Sequence, residues 1–385
     1  MLDKARRGTI VYWALLAVLV GVVAVGAEAY TRQLDTGLGV TGLSRDVPWG
    51  FYVAQFTFLV GVGASAVMLV LPYYLHHFKA FGRIVILGEL VAIAAVITCL
   101  LFLAVDMGQP ARFMNVILHP TPSSPMFWDM LSLGGYLLLN LVIVFGTLAA
   151  ERKGAQPAPW LKLVILLSIP WAVSIHTVTA FIYAGLEART FWKTAILAPR
   201  FLASAFASGP SLLILLCLLL RRTGRLDAGD DALQKLRQIV AYALVLSVFF
   251  FGVELFTTLY ASLPEDVPHF RYLFFGIDGK SRLVTWMWAS QALVLAALLL
   301  LMLPRARSSD ALLALGCLLS VAGIWIDKGM ATVIGGFVPN CFGQVTEYVA
   351  TAPELAIVLG VYGFGALLLT VLLTAAHRAR RELDG

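Results

Sequence analysis

Apolar stretches separated by short polar segments recur along the whole chain, near 10–30, 50–77, 84–105, 127–149, 160–185, 201–220, 238–262, 283–303, 310–327 and 353–376. A helix needs about 20 apolar residues to cross the hydrocarbon core of a bilayer. The pattern therefore predicts an all-α membrane protein with about ten transmembrane helices. The second and seventh stretches exceed a minimal span, which leaves room for tilt or continuation into the interface. The ninth is the weakest signal, because it meets Asp327 and Lys328 and then a Gly-rich turn. The first run ends without a small-residue cleavage site before Glu28 and Tyr30, so it reads as a retained span.

Lysine and arginine mark the orientation. With the N-terminus inside, the short inner segments hold Lys4, Arg6, Arg7, Lys79, Arg83, Arg152, Lys153, Lys162, Arg221, Arg222, Arg225, Lys235, Arg237, Arg305, Arg307, Arg378, Arg380 and Arg381. That is 18 of the 28 basic residues, leaving 10 outside. An odd number of spans would put one strong basic cluster on the wrong side. The expectation is a multi-pass protein of the cytoplasmic (inner) membrane with both termini cytoplasmic. The outer segments 31–49, 106–126, 186–200, 263–282 and 328–352 are longer and carry Pro, Trp, His, Asp and Arg together. Function placed on loops points to that face.

Composition agrees with this assignment and removes other classes. The chain is 60% hydrophobic and 13% charged, with mean hydropathy +0.87, against roughly 25% charge in soluble domains. The net charge of +6 is an orientation signal with no separate basic domain, so no nucleic-acid partner is expected and the lipid bilayer is the surrounding medium. Cys99, Cys217, Cys317 and Cys341 form no CxxC pair, and the first three lie in apolar runs. No iron–sulfur cluster, zinc or other metal site is expected within the chain. Of six histidines only His176 lies deep; His76 and His77 sit at the inner end of a span, His119 and His269 in outer loops, and His377 near the C-terminus. A bis-histidine haem needs paired deep ligands, so no haem is expected.

Polar residues at membrane depth are costly and usually face a bundle interior, a cavity or a ligand. Glu89 lies six residues beyond Arg83, hence about 9 Å into the inner half. It is a candidate for proton transfer, or else hydrogen-bonded glue between helices. His176, Thr179 and Tyr183 share one helix face in the outer half, with Trp171 and Phe181 nearby. The stripe either holds a carbonyl-bearing ligand or is a core histidine satisfied by its neighbours. Glu254 opens a second stripe with Thr257 and Thr258, either functional or reaching the interface. Glu28 is read as an interfacial carboxylate.

Several outer motifs occur in a specific joint order. They are Asp46-Val47-Pro48-Trp49-Gly50, Asp106-Met107-Gly108-Gln109-Pro110-Ala111-Arg112-Phe113, His119-Pro120, Met126-Phe127-Trp128-Asp129, His176-Thr177-Val178-Thr179, Ala198-Pro199-Arg200-Phe201, Trp325-Ile326-Asp327-Lys328-Gly329, Gly336-Phe337-Val338-Pro339 and Glu347-Tyr348. Together they resemble the NrfD/PsrC family in its longer ten-span branch, which includes membrane subunits of hydrogenase and of sulfite-reduction-associated complexes. The resemblance covers nearly the whole chain. It departs at Gln109, where relatives frequently carry arginine.

The resemblance implies a haem-free subunit that exchanges electrons between a quinone, of menaquinone type, and a periplasmic ferredoxin-like iron–sulfur subunit. In the sulfite-reduction branch it extends the partner set to cytochrome b and multihaem cytochrome c subunits. It implies two four-helix bundles, about 50–185 and 201–327, flanked by helices 10–30 and 353–376. On this basis Trp49, Asp106, Arg112, His119 and Arg200 join His176, Thr179 and Tyr183 as quinone-binding candidates. Glu347 joins Glu89 and Glu254 as a proton-transfer candidate. Asp106, Arg112, His119 and Asp129 crowd into 24 residues rich in proline, which reads as a shaped cap over the quinone and a docking surface. Two other classes stay open. A secondary transporter would show broken helices in matched halves; Pro170 and Gly185 could break the fifth span, without a counterpart. An inert anchor would have no need of buried acids.

Overall fold

The computed structural model describes residues 2–76, 78–155 and 157–381; His77 lies outside them. The described chain is almost wholly helical, because backbone groups in lipid must be satisfied within the segment. Among the described residues ten helices are long and apolar enough to cross a membrane: α1 Ile10–Thr36, α2 Phe51–Leu75, α3 Val85–Asp106, α4 Pro125–Arg152, α5 Pro159–Ala184, α6 Leu197–Arg222, α7 Asp230–Tyr260, α8 Val284–Met302, α9 Asp310–Ile334 and α10 Ala352–His377. Their number and order match the sequence pattern.

The helices pack as two antiparallel four-helix groups. In the first, α2 meets α3, α3 meets α4, α4 meets α5, and α5 closes back on α2. In the second, α6 meets α7 and α9, and α8 meets α7 and α9. The seam between them is made by α2 and α5 against α6 and by α2 against α9. α10 lies along α3 and α4, and α1 lies along α10. α1 and α10 approach backbone to backbone: a Cβ on Gly26 would sit 2.5 Å from Gly360 Cα. α2 is the innermost helix, 94% of its apolar window being buried against 6% for α1.

Two helices are irregular. α2 passes from α-helix through a 3₁₀ turn at Ala64–Ala66 before continuing at Val67. α9 does not stop at Asp327. It continues as a π-helix over Trp325–Ile334. The sequence suggested an end there because two charges normally mark an interface. Both charges are instead answered inside the protein, Asp327 by Arg200 and Lys328 by the Phe201 carbonyl. Pro170 does not interrupt α5, which runs unbroken to Ala184.

On one face, the loop face, long connections fold over the helix ends. Asp46 accepts hydrogen bonds from Asn340 Nδ2 at 3.1 Å and Thr346 Oγ1 at 2.8 Å. Those bonds hold its carboxyl below the usual aspartate range. Arg189 donates to the Phe337 and Asp46 carbonyls, each at 3.1 Å, and its guanidinium stacks 4.6 Å from the Phe337 ring. The entrance to α2, the α5–α6 connection and the segment after α9 are thereby tied together.

Candidate functional site

Beneath that knot lies an aromatic layer. Trp49 packs edge-on against Tyr183 at 5.3 Å and Phe337 at 5.6 Å, and stacks on Trp192 at 6.0 Å. Tyr183 also meets Phe201 at 5.8 Å. Trp192 is wholly buried and donates through Nε1 to the Thr332 carbonyl at 2.9 Å. It fits because Gly336 lacks a side chain: a Cβ there would lie 2.3 Å from the indole.

Below the aromatics a polar column descends α5, as the helical spacing predicts. Tyr183 is hydrogen-bonded to Thr57 of α2. One turn deeper, Thr179 donates to Asp129 Oδ1 of α4 at 2.7 Å. His176 is 0% exposed. Its Nδ1 lies 3.3 Å from the Ala172 carbonyl. A carbonyl can only accept, so Nδ1 carries the proton in that bond and the neutral ring leaves Nε2 as an acceptor. Nε2 is buried and has no partner among the described residues. Trp171 lies on the same helix and donates to the Ser132 carbonyl at 2.7 Å. Phe181 instead turns outward and is 54% exposed; on a helix it points away from the face that carries His176 and Tyr183.

Glu89 is buried in α3, and neither carboxylate oxygen has a partner among the described residues. Gly88, beside it, packs against Ala66 and Leu69 of α2. Asn140 of α4 donates to the Tyr136 carbonyl at 2.7 Å, and its own side-chain oxygen has no partner among the described residues.

The second bundle holds a buried ionic cluster. Arg200 of α6 binds Glu254 of α7 and, at 2.7 Å, Asp327 of α9. Glu254 therefore does not reach the interface; it is 5% exposed and held by the guanidinium. Lys328, the next residue, points the other way, into the seam. It is 2% exposed, donates to the Phe201 carbonyl at 3.3 Å and lies 4.8 Å from the Phe201 ring centre.

The remaining candidates stand apart. Arg112 and His119 are exposed on the loop face. Asp106 is half-buried, and its Oδ1 has no partner among the described residues. Glu347 accepts from the Arg282 amide at 2.9 Å and from Tyr272 OH at 3.3 Å. Glu28 is exposed and paired with Arg32.

His269, placed in an outer loop by the sequence, is buried in the short helix Val267–Phe274, with Nδ1 at 3.2 Å from the Gly335 carbonyl and 2.9 Å from that of Val338. Burial pushes its imidazole below the ordinary histidine range. The unfolded chain then binds the extra proton more readily, so stability is full above the unfolded value near pH 6.5 and falls as pH drops toward the lower folded value. Thermal melting of the purified protein between about pH 8 and about pH 5 should show this loss, and His269→Gln should flatten it. An unchanged slope in the variant would remove His269 as the cause.

Several buried polar residues escaped the sequence patterns. Glu354, in the first turn of α10, is 0% exposed and accepts from Tyr348 OH at 2.7 Å and from the Gly42 amide at 2.8 Å. Gln55 accepts from Trp325 Nε1 at 2.6 Å and Tyr362 OH at 2.7 Å. Gly42, Trp325 and Tyr362 are distant from them in sequence, so helical spacing carries no trace of those pairings. No three His, Cys, Asp or Glu side chains gather as a metal-binding set among the described residues.

A polytopic helical bundle with buried histidine, carboxylates and an aromatic layer at one face defines a class of integral membrane protein built around an internal polar site. The profile of the polysulphide reductase NrfD family matches residues 39–334, and the chain belongs to that family. It is 26% identical to a Halobacterium salinarum protein named provisionally as a membrane subunit of dimethyl sulfoxide reductase, over 92% of this chain and 88% of that one. It is 26% identical to the Hdr-like menaquinol oxidoreductase integral membrane subunit of Archaeoglobus fulgidus, over 65% of this chain and 62% of that one. It is 23% identical to the menaquinone reductase integral membrane subunit of Nitratidesulfovibrio vulgaris, over 90% and 87%.

Proposed function

We propose that this chain is the quinone-exchanging, haem-free membrane subunit of a respiratory electron-transfer complex. It lies in the cytoplasmic membrane with both termini cytoplasmic and the loop face periplasmic, where an iron–sulfur subunit docks. The observation that carries the reading is His176 Nε2, buried and unpartnered two turns below the aromatic layer. Apolar slots with a few placed polar groups suit a quinone ring. The two relatives named for menaquinol or menaquinone support the same chemistry.

A bound quinol supplies two electrons and two protons, and a bound quinone takes them up. The neutral His176 ring accepts a hydroxyl proton at Nε2; the protonated ring donates there to a carbonyl. Ala172 fixes the ring through Nδ1, Thr179 holds Asp129, and Thr57 holds Tyr183. Glu89 is the proton-transfer residue of the inner half, because its carboxyl is free of partners among the described residues. Glu254 and Glu347 are already engaged by Arg200 and Arg282.

The reading is tested on the complex solubilised from its own membranes. A tagged chain should co-purify with an iron–sulfur subunit and quench a fluorescent hydroxyquinoline N-oxide, a quinol analogue. Arg112→Ala with His119→Ala, both on the loop face, should weaken co-purification about tenfold while leaving the quench intact. A stoichiometric b-type haem spectrum from the chain alone, or no quench in the intact complex, would refute the proposal.

A further inference from the structure

Buried polar atoms without a partner are rare and mark places where water or a ligand completes the network. Three of them share one depth at the seam between the bundles. Ser65 sits in the 3₁₀ turn of α2, Ser208 in α6 and His176 in α5. Ser65 Oγ, Ser208 Oγ and His176 Nε2 are all buried and unpartnered among the described residues.

The packing fixes their common level. Tyr183 and Thr57 touch where α5 and α2 run antiparallel. From that contact His176 lies seven residues deeper along α5 and Ser65 eight deeper along α2, about 10 Å and about 12 Å. The Ala64–Ala66 turn contacts both α5 and α6. Gly209 faces Ser65 so closely that a Cβ on it would lie 2.6 Å from Ser65 Cβ, which puts the adjacent Ser208 at the same height.

Lys328 enters this seam from the second bundle. A Cβ on Gly61 would lie 3.1 Å from its ammonium, and Gly61 is one turn above Ser65, about 6 Å. An ammonium carries three donor protons; one is used by the Phe201 carbonyl. The titratable or charged groups within electrostatic reach are His176 from α5, Cys99 from α3 and its own neighbour Asp327. An ammonium with spare protons and an imidazole with a spare lone pair thus face one seam, with two unpartnered hydroxyls beside them.

We propose that Lys328 is the proton-exchange partner of His176, through water held by Ser65 and Ser208. The inference rests on the quinone reading above, and adds a route from the first bundle into the second. In the exchange, Nε2 of protonated His176 gives its proton to a water, and that water gives one of its own to the neutral Lys328 amine. The histidine ends neutral, the water unchanged and the lysine as ammonium; the reverse step restores the start. Asp327, bonded to Arg200, sits at the far side of the same π-helical turn, so the charge on Lys328 is felt by the ionic cluster.

The test uses the whole complex in proteoliposomes, with menaquinol as electron donor. Arginine keeps a positive charge but does not release its proton in proteins. Lys328→Arg should therefore bind the hydroxyquinoline N-oxide like the parent, yet oxidise menaquinol about a hundredfold more slowly and with an altered pH profile. Ser65→Ala with Ser208→Ala removes only two hydroxyls; it should slow turnover about tenfold and change the solvent deuterium isotope effect. Parental rate and pH profile in Lys328→Arg overturn the inference and leave the quinone reading standing. If that variant does not assemble, the serine pair decides: parental rate and isotope effect there overturn it equally. Loss of analogue binding in the parent complex removes the quinone reading and this inference with it.

Discussion

Replacing Arg200 with alanine should unfold the second bundle or prevent its assembly. The guanidinium is the shared partner of Glu254 and Asp327, and all three are buried. Removing it leaves two carboxylates facing each other away from water. Breaking a buried ion pair by deleting one partner costs about 3–5 kcal/mol, because the remaining charge stays desolvated. Here two charges are stranded, so the loss falls at the upper end of that range. Lysine should rescue poorly, since a point ammonium does not bridge two carboxylates as a planar fork does. Melting in detergent, followed by tryptophan fluorescence, reads the effect. Arg200→Ala melting within a degree or two of the parent would show that the cluster contributes nothing to stability.

Replacing His176 with alanine should abolish most quinol oxidation while leaving the fold intact. Among the described residues the ring makes one polar contact, to a backbone carbonyl of its own helix, so little else depends on it. Loss of a positioned proton acceptor typically costs about a hundredfold or more in rate, and analogue binding should weaken alongside. Glu89→Gln should separate the two functions. Glutamine keeps shape and hydrogen bonding, so binding persists while turnover slows about a hundredfold through loss of the titrating proton. Stopped-flow menaquinol oxidation and analogue quenching, measured together, distinguish the variants. Normal turnover in His176→Ala would end the assignment of that side chain, and normal turnover in Glu89→Gln would end the other.

The spans and the α5 stripe were legible because each is a local pattern. A run of apolar residues commits the backbone to a helix, and His176, Thr179 and Tyr183 follow from the helical repeat alone. What stayed hidden were pairings between helices. Glu254 looked as able to reach the interface as to serve a site, since its partner Arg200 lies 54 positions away in sequence. Lys328 read as the end of a helix, because nothing local shows that a lysine at that position is answered by the Phe201 carbonyl. Asp129 stood in an outer motif, yet its carboxylate is turned inward to Thr179. Glu354 belongs to none of the patterns read from the sequence, and its contacts to Tyr348 and Gly42 come from the folded loop face. Polarity in an apolar run announces that a partner exists; only the packing says which.

The position of α2 constrains how the chain can be made. α2 is made before the helices that pack against its polar side chains. Gln55 receives Trp325 from α9 and Tyr362 from α10, Thr57 is bound to Tyr183 of α5, and Ser65 is packed by Gly209 of α6. Until those helices insert, α2 waits in the bilayer with the Gln55 amide facing lipid or early neighbours, and uncovered polar groups there are costly; the Thr57 hydroxyl is already bonded to the Val53 carbonyl of its own helix. The seam around α2 is therefore complete only once α9 and α10 have inserted. A nascent chain arrested after the first bundle is a half-finished seam, recognisable to membrane proteases and insertion factors by polar groups that completion would have hidden.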